Sequence, residues 1–202
     1  RLPVPPLDLP RISLKALLKD CLSVFSNRNY LALLGGLVLL SATVGIRETI
    51  GLHMNTYFWE LLPSQIRYLV LFGVLSSIVG FVATARLHER FDKKPVLVGA
   101  LVVTIISVTS PVILRVLGLF PENDSPLLLP CLLAFHVVSI SAVLIGIISA
   151  MSALADIADE QELSTGLRQE GVFYAARSFF GKASSGIGHL LAGIAIDVIN
   201  FP

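Results

Sequence analysis

The chain has 202 residues and a formal net charge of +1, with 15 Lys and Arg against 14 Asp and Glu. Hydrophobic residues make up 54% and charged residues only 14%; with a mean hydropathy of +0.81, that excludes an ordinary water-soluble domain and indicates a polytopic membrane protein. The near-neutral balance makes no electrostatic case for nucleic acid as a partner.

Residues 1–29 read as a cytoplasmic segment ahead of a transmembrane bundle at 30–202. Pro3, Pro5, Pro6 and Pro10 make an extended linker. Leu14, Leu17, Leu18, Cys21, Leu22 and Phe25 then recur at helical spacing, with Lys15 and Lys19 off that face. Such a basic amphipathic helix suits a membrane surface or the protein's own cytoplasmic side. The chain begins at Arg1, with no visible signal peptide, and stops at Phe201-Pro202 directly after an apolar run. Both ends read as cuts, and the chain as a fragment. Cys21 and Cys131 fall toward opposite sides and suggest neither a disulfide nor a metal site.

Five apolar spans follow, at about 30–59, 66–87, 96–116, 127–154 and 171–199. The first is long enough, at about 45 Å of helix, to need tilt or a break. Arg47 and Glu48 lie in its outer half between Gly45 and Gly51, with His53, Asn55 and Tyr57 beyond. Arg47, Glu48, Asn55 and Tyr57 are candidates for a solute path; alternatively the charged pair meets other helices or the outer interface. The second span follows a turn at Pro63-Ser64 and ends in a loop with Arg86, Arg90, Lys93 and Lys94. Within the third, Pro111 is expected to kink the helix. In the fourth, His136 reads more readily as a packing residue than as a ligand.

After the fourth span comes a polar run, Ala155 to Gly171, with acidic residues crowded at its start. The fifth span contains Lys182, 11 residues beyond Gly171. That is about 16 Å of helix, against about 15 Å for half a hydrocarbon core. A lysine near the midplane costs at least about 2.5–3.5 kcal/mol and normally faces a bundle interior or a wet cavity. Lys182, Ser185, Gly186, His189 and Gly193 share one helical face. Gly181, Ser185, Gly188 and Ala192 form a small-residue stripe beside it, suited to close helix packing.

Asp156-Ile-Ala-Asp159, then Glu162, Gly166-x-Arg168-x-Glu170-Gly171 and Phe180-x-Lys182 resemble the helix 10–11 signature of the glycoside–pentoside–hexuronide:cation symporters. That family lies in the major facilitator superfamily and includes melibiose permease. The resemblance implies an all-α C-terminal helical bundle that works with an N-terminal half of the same protein. It implies multi-pass residence in the cell (inner) membrane and Na⁺- or H⁺-coupled uptake of a sugar-like small-molecule solute by alternating access. The transported cation is then the coupling ion, and no bound cofactor or structural metal is expected. It implies a role in cation coupling for Lys182, and a cytoplasmic charge network of Asp156, Asp159, Glu162, Arg168 and Glu170. A lipid or other solute as cargo, or a non-transporting sensor or scaffold on the same fold, stays open.

No Walker, GxSxG, HExxH or CxxC motif occurs, and His53, His88, His136 and His189 stand on four separate segments; an enzyme is not expected. Lys and Arg concentrate in the amphipathic segment and the 86–94 loop, which are therefore expected on the cytoplasmic side.

Overall fold

The structure, a computed structural model, describes residues 24–166 and 169–199. The Pro-rich linker, most of the amphipathic helix with Cys21, and Arg168 lie outside the described residues. Helix α1 spans Arg28–His53. The Asn27 side chain accepts the Tyr30 N–H at 3.1 Å and so caps its start. The helix then continues without interruption as a π-helix, Met54–Phe58. The expected irregularity of the first span is thus a widened terminal turn, not a gap. It ends at Trp59 and at Glu60, which adopts φ 51°.

Helix α2 covers Pro63–His88. Pro63, expected in a turn, opens the helix, where its missing N–H costs nothing. Gln65 Oε1 meanwhile accepts the Leu62 N–H at 2.8 Å. Helix α3 covers Lys93–Val116, so Lys93 and Lys94 belong to its first turn rather than to the loop. Pro111 sits inside α3 and is buried. Helix α4 runs Leu128–Thr165 and is 38 residues long, about 57 Å. It overruns the expected span by about three turns, and the acidic residues taken for a loop lie on helix. Ala, Leu, Glu and Gln in that stretch favour helix strongly. The stop is Gly166 at φ 70°, a left-handed conformation suited to glycine that ends α4. Helix α5 covers Glu170–Val198.

Among the described residues, all five helices are long and apolar enough to cross a bilayer. Leu39, Phe81 and Phe179 are 72%, 67% and 67% exposed, as lipid-facing side chains are and a water-soluble surface rarely tolerates in such number. Packing divides the bundle: α1 pairs with α5, and α4 packs on both α2 and α3. The two groups are tied at their ends. At the basic end, Val24, Tyr30, Leu34, Leu154, Ala158 and Phe173 form one core cluster. Tyr30 Oη donates to the Phe173 carbonyl at 3.0 Å, and Asn27 Nδ2 donates to Gln161 Oε1 at 3.1 Å. At the other end, Trp59, Leu61, Leu69, Phe120, Leu128 and Leu132 form a second cluster. There Arg115 donates to the Pro121 carbonyl and to Asn123 Oδ1. Asn123 in turn donates to the Phe58 carbonyl at 3.2 Å. Cys131 packs beside this second cluster as a free thiol.

Candidate functional site: a polar seam between α1 and α5

The small residues foreseen on α5 let two backbones nearly touch. A Cβ at Gly188 would collide with the Ala42 carbonyl and lie 3.0 Å from its carbon. One at Gly45 would collide with the Ser185 carbonyl and lie 3.1 Å from the His189 nitrogen. Gly181 faces Ser41 Oγ, Ala192 is buried, and Ser184 Oγ donates to the Val38 carbonyl at 2.6 Å. Helices at this distance exchange dispersion contacts and polar bonds that lipid cannot replace.

This close crossing positions the polar side chains. His189 Nδ1 lies 2.9 Å from Thr49 Oγ1, and its Nε2 lies 3.6 Å from Glu48 Oε2. Thr49 Oγ1 also donates to the Gly45 carbonyl at 3.2 Å. Glu48 turns to His189 of α5. A Cβ at Gly73 of α2 would lie 3.5 Å from His136 Nε2. His136 of α4 thus packs against α2 at Gly73. Nearby on α4, Ser139 Oγ is buried without a hydrogen-bond partner.

Lys182 is exposed near the middle of α5, on the face that carries His189. Among the described residues no carboxylate pairs with it. Asn55 and Tyr57 both lie in the π-helical turn, and Tyr57 is 50% exposed; His53 packs 6.2 Å from the Tyr57 ring. Of the proposed solute-path residues the structure brings Glu48 to His189 of α5, while Asn55 and Tyr57 lie about two turns further along the same helix.

Asp156 is held by Lys93 through both carboxylate oxygens, at 2.7 and 2.6 Å. The sequence groups Lys93 with three other basic loop residues, whereas the structure puts it in the first turn of α3. Its signal was its place at the mouth of α3, one helix away from an acidic helix end. Asp159 and Glu162 are exposed on α4. Glu170 sits in the first turn of α5, where the helix dipole favours a carboxylate. Sequence reasoning also missed Thr49, a β-branched residue in an apolar run with nothing in its spacing to mark it.

Five bilayer-length helices among the described residues, with ionisable groups along the α1–α5 seam, mark a multi-pass membrane protein. The family described as MFS/sugar transport protein matches residues 8–202, and the chain belongs to it. It is also similar to an uncharacterized symporter, YnaJ, of Bacillus subtilis (strain 168), at 26% identity over 164 residues. That match covers 81% of this chain and 33% of the relative. The chain thus spans about a third of the length of the curated relative it matches. No solved structure matches the chain.

Proposed function

We propose that this chain forms the C-terminal half of a secondary active transporter that couples Na⁺ or H⁺ to uptake of a sugar- or glycoside-like solute. The reading places the protein in the cell membrane, with lipid around it and an N-terminal half of the same protein against the exposed side of the α1–α5 seam. The observation that carries it is Lys182. An ammonium at mid-helix, with no carboxylate partner among the described residues, is too costly at that depth to stay unmatched. Its natural counter-charge is a carboxylate of the other half, across the path the solute takes, since carrier sites lie between two halves near the midplane. Arg47, Glu48, Asn55 and Tyr57 then border the solute route. Asp156, Asp159, Glu162, Arg168 and Glu170 are proposed to form the cytoplasmic charge network, joined by Lys93.

The test is reconstitution of the whole protein that carries this chain. Proteoliposomes would be offered radiolabelled glycosides, pentosides and hexuronides under imposed Na⁺ or H⁺ gradients. Accumulation of one class above its equilibrium level, abolished by collapsing one gradient, supports the reading. Gradient-independent equilibration, or no uptake from well-folded protein, would favour another cargo or a sensor on the same fold.

A further inference from the structure

We propose that the apolar groove between α2 and α3 seats one acyl chain of an anionic phospholipid, with the headgroup on the basic cluster at its mouth. Helices α2 and α3 both rest on α4 and barely meet each other, so α4 forms the floor of a trough between them. Its volume is about 610 Å³, within the range of about 300–1,000 Å³ that small-ligand sites occupy. Val79 and Leu87 mark its ends on α2, and Pro95 and Val103 mark them on α3. The one polar side chain in its lining is Ser141, whose hydroxyl already donates to the Ser76 carbonyl at 2.9 Å. The groove therefore suits hydrocarbon and leaves a polar ligand without side-chain bonds.

Length selects the occupant. Val79 and Leu87 stand eight residues apart, as do Pro95 and Val103, and eight residues are about 12 Å of helix. Half a hydrocarbon core is about 15 Å, so the groove serves a single leaflet. A further helix, or a second copy of the protein, would need a trough along the whole span. A lipid chain needs only its own leaflet.

The mouth supplies the charge. Phe91, 57% exposed, lines both the groove and an adjoining polar recess that also holds His88, Lys93, Lys94 and Asp156. In that recess Lys93 is committed to Asp156, and His88 to Ser149 Oγ at 2.9 Å. Lys94 has no ion-pair or hydrogen-bond partner among the described residues. The same holds for Arg86, in the last turn of α2, and for Arg90 just beyond it. Glu89 and Asp92 are the acidic groups interspersed with these cations, and both are exposed. By the Lys and Arg rule this end is cytoplasmic, and the leaflet on that side carries the anionic headgroups. A chain in the groove thus brings a phosphate to cations that are free to meet it.

The experiment is native mass spectrometry of the whole protein in detergent, titrated with phosphatidylglycerol or phosphatidylcholine of matched chains. Phosphatidylglycerol should bind at concentrations about tenfold lower. Gly99 lines the groove, and a Cβ added there meets nothing within 4 Å. Gly99→Phe therefore fills the groove with its own side chain and should remove the tightly bound lipid. Gly99→Ala, too small to fill it, is the folding control and should bind as the parent does. Arg90→Gln with Lys94→Gln, at the exposed mouth, should keep one bound lipid and erase the preference for phosphatidylglycerol. Equal binding of the two lipids by the parent, or a preference unchanged in the double variant, would overturn the proposal. So would tight binding that survives Gly99→Phe. A dimer of the parent that Gly99→Phe dissociates, with no lipid retained, would assign the groove to a second copy instead. None of these readouts uses a transported solute, so a failure of the transport reading leaves them unchanged.

Discussion

Gly188 offers the sharpest structural test, because a single methyl group there has nowhere to go. In Gly188→Ala the new Cβ meets the Ala42 carbonyl, and stands 3.0 Å from the Ala42 carbon and 3.1 Å from the Ile46 nitrogen. Ordinary carbon contacts are about 3.5–4.0 Å, and every atom in the way is backbone. Helices α1 and α5 must therefore separate by at least about half an ångström. Overpacking of this kind costs about 1–3 kcal/mol. The separation also stretches the Ser184–Val38 bond of 2.6 Å and the His189–Thr49 contact of 2.9 Å. The matched control is Gly36→Ala, where nothing lies within 4 Å of the added carbon. In a helix interior that change should instead stabilise, by about 0.5–1 kcal/mol. Thermal unfolding of the purified protein in one detergent should lower the midpoint for Gly188→Ala by several degrees and leave or raise it for Gly36→Ala. Equal midpoints for the two variants would refute the close crossing, and with it the geometry that brings Glu48 to His189.

Tyr30→Phe should cost about 0.5–1.5 kcal/mol, because it removes the buried hydroxyl that donates to the Phe173 carbonyl; thermal unfolding reads this directly. Asp156→Asn should cost under about 1 kcal/mol, because the Lys93 and Asp156 side chains are 37% and 59% exposed and water screens the pair. The exchange Lys93→Asp with Asp156→Lys should restore whatever stability the single changes lose. A lone cysteine introduced at Lys93 should resist impermeant thiol reagents applied outside intact cells, given the basic cluster at that end; ready labelling would invert the topology.

Much of the fold was legible because the bilayer imposes length. Apolar runs of about twenty residues read as spans, and Pro63 stands at the start of α2, where its missing N–H costs nothing. The end of α4 was misread for the opposite reason. Asp156, Asp159, Glu160 and Glu162 looked like loop because charge is what loops carry, yet Glu and Gln are strong helix formers once clear of the hydrocarbon. Gly166 was the better marker of the helix end. At the seam, the period of α5 already put Lys182 and His189 on one face and Gly181 and Gly188 on the adjoining one. Periodicity says nothing about which helix will lie opposite. Pairing α5 with α1, and therefore His189 with Glu48 and Thr49, is a tertiary choice made by Gly45 and Ala42, which in sequence look like any small residues in a span. The same limit hid the partner of Asp156, since Lys93 lies 63 residues away.

The central claim is that the lysine in the middle of α5 takes part in coupling, and a cation titration of solute accumulation tests it most directly. Accumulation by the whole protein would be measured against Na⁺ concentration and against pH, for the parent and for Lys182→Ala at matched expression. The account predicts that Lys182→Ala abolishes or displaces the cation dependence. Lys182→Arg should restore it only in part, because a guanidinium differs from an ammonium in shape and hydration. A cation dependence unchanged in Lys182→Ala, with accumulation intact, would contradict the account and leave Lys182 as a packing residue of the bundle.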